Sequence, residues 1–208
     1  MKVFEYNLPD VELLGDYPKK FLIWRPDKIY IILGASNRAE EALYMDNVSR
    51  DGLTLMKRPS GGQTVMLTPD NLIISAVFSG NSLLSPKNIF NTLNRKIIST
   101  IEEAGIRGLS LRGISDIAIE GKKILGSAIY RTKDKLLYHA VLNFGEPSAT
   151  FERYLKHPSR EPDYRTGRTH SEFVSSLKEK GYSESIYHLE SELRVSFESF
   201  FSLEKVSV

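Results

Sequence analysis

Between residues 116 and 131 the chain reads Asp-Ile-Ala-Ile-Glu-Gly-Lys-Lys-Ile-Leu-Gly-Ser-Ala-Ile-Tyr-Arg, and this stretch restricts the fold more than any other. Ile117, Ile119, Ile124 and Ala128 follow a largely alternating pattern around Glu120-Gly121, a two-residue turn signal. That pattern predicts two short antiparallel strands. Lys123 falls just past the turn, beside the small-residue step Gly126-Ser127-Ala128. So little side-chain bulk lets a ligand or another backbone approach the strand closely. The competing reading is an edge hairpin with solvated lysines.

A second segment, Lys57-Arg-Pro-Ser-Gly-Gly-Gln-Thr-Val65, precedes Asn71-Leu-Ile-Ile-Ser75. Arg58 and Ser60 before the pair Gly61-Gly62 have the composition of an anion cradle. Glycines let backbone amides converge on an oxyanion, and a guanidinium adds planar, charge-assisted bonds to phosphate or carboxylate. Pro-Ser-Gly-Gly is also an ordinary turn.

Together the two segments resemble one family. Arg58-Pro-Ser-Gly-Gly62 with the downstream Asn71-Leu72 is similar to an Arg-x-Ser-Gly-Gly-Gly block followed by Asn-Leu. Ser115-Asp-Ile and Gly121-Lys-Lys-Ile-Leu-Gly-Ser-Ala128 are similar to an Asn-Asp-Ile…Gly-x-Lys-Ile-x-Gly-Ser-Ala block. Both blocks belong to the lipoate-protein ligase A type of the biotin and lipoate ligase superfamily. Tyr30-Ile-Ile-Leu-Gly34 with Asn37 resembles that family's early strand ending in Gly, and Tyr164-Arg-x-x-Arg-x-His170 resembles a late segment.

The resemblance implies an α+β catalytic domain of the biotin and lipoate ligase type, with a mixed or antiparallel sheet core flanked by helices. It implies that lipoate or octanoate is activated with ATP and Mg²⁺ as an acyl-AMP and passed to a lysine of an acceptor lipoyl domain, in a 2-oxoacid dehydrogenase E2 or the glycine-cleavage H protein. On this carry-over Lys123 is the catalytic cation between the carboxylate oxygen and the α-phosphate. Lys123 is preferred to Lys122 because the family lysine stands two residues after Gly121, and Lys122 is then solvated. Arg58 and Ser60 hold phosphate or the acyl carboxylate, Gly61 and Gly62 give close backbone approach, and Asp116 contacts the nucleotide or Mg²⁺. Asn71, Gly126, Ser127 and Ala128 complete the expected binding set. Many bacterial relatives continue into a smaller accessory domain. The expectation here is a single catalytic domain over residues 1–208 without it; if adenylation needs that lobe, a separate polypeptide must supply it.

Composition bounds the alternatives. With 28 basic and 26 acidic residues, a net charge of +2 gives no mandate for nucleic acid, whose binders usually show a concentrated basic face. No apolar run reaches membrane-span length and no signal peptide is legible, so a cytoplasmic protein is expected. There is no cysteine, which excludes a cysteine nucleophile and thiolate metal sites. Octanoyltransferases and lipoyl amidotransferases, relatives of the lipoate ligases, work through a cysteine thioester. The four histidines lack metal-ligand spacing, and no protein-built metal site is expected.

Strands are expected at Lys28–Leu33, Asn71–Phe78 and Leu136–Phe144. Ser85-Pro86 opens a helix whose apolar stripe is Ile89, Leu93, Ile97 and Ile101, closing near Gly105. Further helices are expected near Thr150–Lys156, from Ser171 to Lys180 ending at Gly181, and from about Glu184 to Phe201. Asn71 either orients the Gly loop or caps a turn. His139 reads as a packed or edge histidine rather than a base, and Arg165, Arg168 and His170 as a solvated loop rather than an anion contact.

Four departures from the family pattern bear on function. Gln63 replaces the third Gly, Met66-Leu67-Thr68 an aromatic-His-Asp element, Ser115 an Asn, and Ala140 the Gly after His139. They keep two other readings open: a cysteine-independent octanoyl or lipoyl transferase, and a non-catalytic acyl- or nucleotide-binding member.

Overall fold

The computed structural model describes residues 1–15, 20–79 and 85–203. In chain order the strands are β1 (Phe4–Glu5), β2 (Phe21–Trp24), β3 (Tyr30–Leu33), β4 (Thr54–Lys57), β5 (Val65–Leu67), β6 (Asn71–Ser79), β7 (Leu109–Arg112), β8 (Asp116–Ile119), β9 (Lys122–Arg131) and β10 (Lys135–Asn143). The helices are α1 (Ala39–Ala42), α2 (Met45–Arg50), α3 (Pro86–Glu103), α4 (Ser148–Tyr154), α5 (His170–Phe173) and α6 (Ile186–Leu203), and Pro9–Leu14 forms a 3-10 turn.

Six strands form an antiparallel sheet in the order β2-β6-β10-β9-β8-β7, and four form a mixed sheet in the order β1-β4-β3-β5. Alternation along β6 and β10 decides what each face of the larger sheet meets. Leu72, Ile74 and Ala76 of β6, with Leu136, Tyr138 and Leu142 of β10, pack under α3 and α6. Ile73 and Val141 point the other way and pack against Tyr30, Ile32, Met56 and Leu67 of the smaller sheet. That smaller sheet is covered in turn by α1, α2 and α4, through Ile31, Leu33, Leu55, Leu43, Val48 and Phe151. The result is four layers, helix, sheet, sheet, helix, in an α+β arrangement. It explains why β3 is a continuous apolar run: Tyr30 and Ile32 serve one interface, Ile31 and Leu33 the other.

α3 starts and stops as its sequence dictates. The Ser85 hydroxyl accepts from the Asn88 amide at 3.2 Å, Pro86 occupies the first turn, and Gly105 follows the end at φ 107°. Ile89, Leu93, Ile97 and Ile101 are all at most 1% exposed, each burial contributing about 1.5–3 kcal/mol. No described helix is long and apolar enough to cross a membrane.

One expected helix does not form. Only His170–Phe173 is helical, capped by Thr169 and Glu172 in a reciprocal box. Val174 is extended, bridges Lys123 in parallel, and is followed by Ser175 N–H donating to the Lys123 carbonyl at 2.9 Å. The Leu177 and Lys178 amides then donate to the Asn143 and Phe144 carbonyls. These tertiary bonds take the backbone groups a continued helix would have used.

Candidate active site

Glu120 and Gly121, at φ 50° and 74°, close the hairpin of β8 and β9 in the turn form that suits strand twist. Past the turn, Ile124 is an extra residue, and the pairing shifts between Ile117–Leu125 and Ala118–Lys123. Without that bulge, Lys123 and Gly126, three residues apart, would face opposite sides of the strand. With it, the Lys123 ammonium lies over Gly126, where an added Cβ would stand 2.6 Å from Nζ. Nζ also pairs with Asp116 Oδ1 at 2.8 Å, and the lysine side chain keeps 30% of its surface open to solvent. The small-residue step therefore admits the chain's own ammonium first.

Asp116 is held on both oxygens, because Tyr164 donates its hydroxyl to Oδ2 at 2.9 Å. Burial, and then the Asp116 charge, push the Tyr164 hydroxyl pKa far above its ordinary value, so it remains a donor. The segment that carries Tyr164 straps the hairpin. Arg168 donates to the Gly121 carbonyl at 3.2 Å, and Lys122 Nζ donates to the Ser171 carbonyl at 3.2 Å. Lys122 is thus half-buried and tied down, where a solvated side chain was expected. The arginines are likewise not a solvated loop. Arg165 is 4% exposed and lies over the Phe173 ring, with Arg168 beside it. Burial, and then Arg165, push the His170 pKa down to about 4.

The Gly loop is built around Arg58. Its guanidinium, 5% exposed, donates to the carbonyls of Ile32, Gly61 and Gln63 at 3.2, 2.9 and 2.8 Å. Burial pushes its pKa down to about 10, against the opposing effect of Tyr6. Gly62 alone of the pair uses left-handed backbone, at φ 93°, while Gln63 does not. The third glycine is therefore dispensable here: Gln63 contributes its carbonyl and needs no special φ. Gly34 is required, since a Cβ there would overlap the Gly62 carbonyl oxygen. Asn37 accepts from the Gly34 amide and the Thr64 hydroxyl, both at 3.1 Å, and so pins both ends of the loop.

His139 joins the loop to the hairpin. It pairs with Ala128 across β10 and β9, on the face that also carries Gly126, and its Nε2 lies 2.8 Å from Ser60 Oγ. Nδ1 is 3.7 Å from Asp10 Oδ2. Asp10 is fully buried and accepts from the Tyr6 and Ser75 hydroxyls at 2.7 and 3.0 Å.

Of the residues singled out from sequence, Lys123, Asp116, Gly126 and Ala128 thus gather on one face, with Arg58, Ser60, Gly61 and Gly62 beside them through His139. Ser127 faces the other way and donates to the Ser115 carbonyl at 2.7 Å, fixing the turn before Asp116. Asn71 is buried at the β5–β6 turn, accepting from the Thr68 amide and donating to Asn143, so it caps the turn. Sequence reasoning gave no role to Asp10 or Tyr6 and none specific to Tyr164. A Tyr-x-x-x-Asp spacing near the chain start carries no chemical signal until folding buries it beside His139.

Curated relatives share this chain's pattern at low identity. A probable lipoate-protein ligase A of Mycoplasma pneumoniae is 26% identical over 141 residues, 68% of this chain and 41% of that protein. A lipoate-protein ligase of Bacillus subtilis is 27% identical over 131 residues, 62% of this chain and 38% of the other. The matched part of the chain thus spans about two fifths of their length. Among solved structures, a bipartite lipoate protein ligase from Thermoplasma acidophilum superposes with a TM-score of 0.76 at 21% identity, covering 93% of this chain and 76% of that one. A lipoate-protein ligase A bound with ATP gives 0.75 at 23%, covering 93% and 77%. At such identities these structures establish the fold. Residues 10–193 match the lipoyl protein ligase A/B catalytic domain model, and the chain belongs to that family.

Proposed function

We propose that the protein activates lipoate, or an octanoate of similar shape, with ATP as the acyl-adenylate and then acylates a lysine of a lipoyl domain. The observation that carries this reading is the Lys123 ammonium held by Asp116 over the bare backbone of Gly126. A carboxylate attacking an α-phosphate concentrates negative charge on adjoining oxygens. A fixed cation with its counter-ion already in place stabilises that charge with little reorganisation. Lys123 bridges the carboxylate and the phosphate. Arg58 keeps the Gly loop folded, and Gly61 and Gly62 bring backbone amides to the nucleotide or the acyl carboxylate.

Among the described residues no group of three or more acidic or histidine side chains gathers to hold a metal, and both Asp116 oxygens already have partners. The described residues do not fit a protein-built Mg²⁺ cage.

Two relatives bear on partners. One from Thermoplasma acidophilum, 28% identical over 121 residues, is named subunit 1 of a lipoate-protein ligase A, and the bipartite ligase belongs to a lipoylation system with its own E2 lipoyl domain. They support a separate accessory polypeptide and an E2-type acceptor for this chain. The test is exchange of labelled pyrophosphate into ATP, with and without lipoate. Lipoate-dependent exchange is expected, if need be only after a partner subunit is added; a failure of exchange with lipoate still bound, partner present, would remove the adenylation step.

A further inference from the structure

The two edges of the larger sheet are finished differently. At the β2 edge, the Arg194 guanidinium of α6 donates to the Ile23 carbonyl and so takes up a backbone group of the edge strand. At the β7 edge, Leu109-Ser-Leu-Arg112 pairs with β8 alone, and no other backbone bond reaches this strand among the described residues. β7 has no proline and no bulge, two of the devices that keep an edge from pairing with another chain. Beside it an open groove runs between β7 and α3. Its β7 wall is Leu109, Ser110 and Leu111, and its α3 wall is Arg95, Ile98, Ser99 and Glu102. Leu109, Leu111 and Ile98 are half-buried and pack on the core from this side. Arg95 reaches the Asn91 side chain at 2.9 Å, and neither Arg95 nor Glu102 has an ion-pair partner among the described residues.

We propose that this edge and groove dock a second copy of the chain, with β7 pairing antiparallel to the partner's β7 about a two-fold axis. The lining is arranged for that symmetry. In a two-fold contact each residue meets the one that lies equally far on the other side of the axis. Leu109 and Leu111 flank Ser110, so an axis through Ser110 sets Leu109 of one protomer against the partner's Leu111, and the reverse. The middle of the α3 wall is the Ile98–Ser99 step, and Arg95 and Glu102 stand equally far to either side, about two helical turns apart. The same axis therefore brings Arg95 to the partner's Glu102, and Glu102 to the partner's Arg95. Charges unpaired within one chain become two ion pairs between chains, so the groove carries its own complement. An axis perpendicular to the sheet runs strands and helices antiparallel together, which makes the two pairings compatible. The two six-stranded sheets then become one, and the unpaired edge disappears. The sheet face opposite α3, which carries His139 and Gly126, takes no part in the contact.

The experiment follows sedimentation of the full chain across the micromolar concentration range. It compares wild type, Arg95→Glu, Glu102→Arg, an equal mixture of those two, and the chain carrying both changes. Wild type is expected to pass from monomer to dimer as concentration rises. Each single reversal opposes like charges at both symmetric contacts and should raise the dimer dissociation constant at least about tenfold. In the mixture every contact again joins opposite charges, so the two variants should dimerise with each other although neither does so well alone. The chain carrying both changes should dimerise like wild type. Thermal melts check that each variant is folded. Amide exchange at residues 109–112 should slow as the dimer fills. Wild type that stays monomeric throughout overturns the proposal and leaves the edge to a different chain. A dimer that ignores both single reversals uses another surface and overturns it equally. Pyrophosphate exchange decides neither outcome, so this test stands apart from that of the ligase reading.

Discussion

The Lys123 ammonium occupies the space that a side chain on Gly126 would fill, with 2.6 Å between Nζ and the position of a Cβ. The contact that would be lost is the far end of a flexible side chain. Gly126→Ala should therefore leave the thermal midpoint nearly unchanged while moving the ammonium off its site. Losing one aligned donor costs on the order of 3 kcal/mol, so lipoate-dependent pyrophosphate release should fall by about a hundredfold. A variant that melts early instead would show that the step serves packing.

Tyr164 acts through Asp116. Tyr164→Phe keeps the ring against Phe173, 5.0 Å between centroids, and removes only the hydroxyl donor to Oδ2. A hydrogen bond to a charged group is worth about 1.5–3 kcal/mol. With Asp116 freed on one side, kcat should drop roughly tenfold while KM for ATP stays close to wild type. Equal losses in both parameters would assign Tyr164 to nucleotide binding.

Gly34→Ala places a methyl group on the Gly62 carbonyl, a backbone atom of a loop already tied to Asn37 and Arg58. Overpacking of this kind costs about 1–3 kcal/mol. The thermal midpoint should fall by several degrees, with nucleotide binding weakened in parallel; calorimetry on the variant checks both.

Acid should loosen the strap over Lys123. The His170 pKa is pushed down to about 4 from an ordinary 6.5, by burial first and then Arg165, with Glu152 opposing and His157 adding to the effect. Between those values the unfolded chain binds a proton that the folded chain refuses, so stability falls as pH drops from about 6.5 to about 4. Thermal midpoints across that window should decline in the wild type and decline less in His170→Gln. Parallel slopes would place the acid sensitivity elsewhere.

What the sequence made legible was what local pattern controls. The Glu120-Gly121 turn, the α3 stripe from Ile89 to Ile101 and the runs of β6 and β10 all follow from alternation, periodicity or capping within a few residues. The failures were tertiary. Helical periodicity after Ser171 was overridden by bonds from Ser175 and Leu177 to β9 and β10, and Lys122 was caught by the Ser171 carbonyl. Alternation around the turn did not reveal the bulge at Ile124, which decides that Lys123 and Gly126 share a face. Asp10, 129 residues before His139, gave no local sign that folding would bury it there.

The most direct test compares Lys123→Ala with Lys122→Ala in pyrophosphate release from Mg²⁺-ATP and lipoate, with a partner subunit supplied if the wild type needs it. The geometry predicts loss of release by about a hundredfold or more in Lys123→Ala, and retention within a few-fold in Lys122→Ala, whose ammonium only latches the Ser171 carbonyl. Near-normal release in Lys123→Ala would contradict the account.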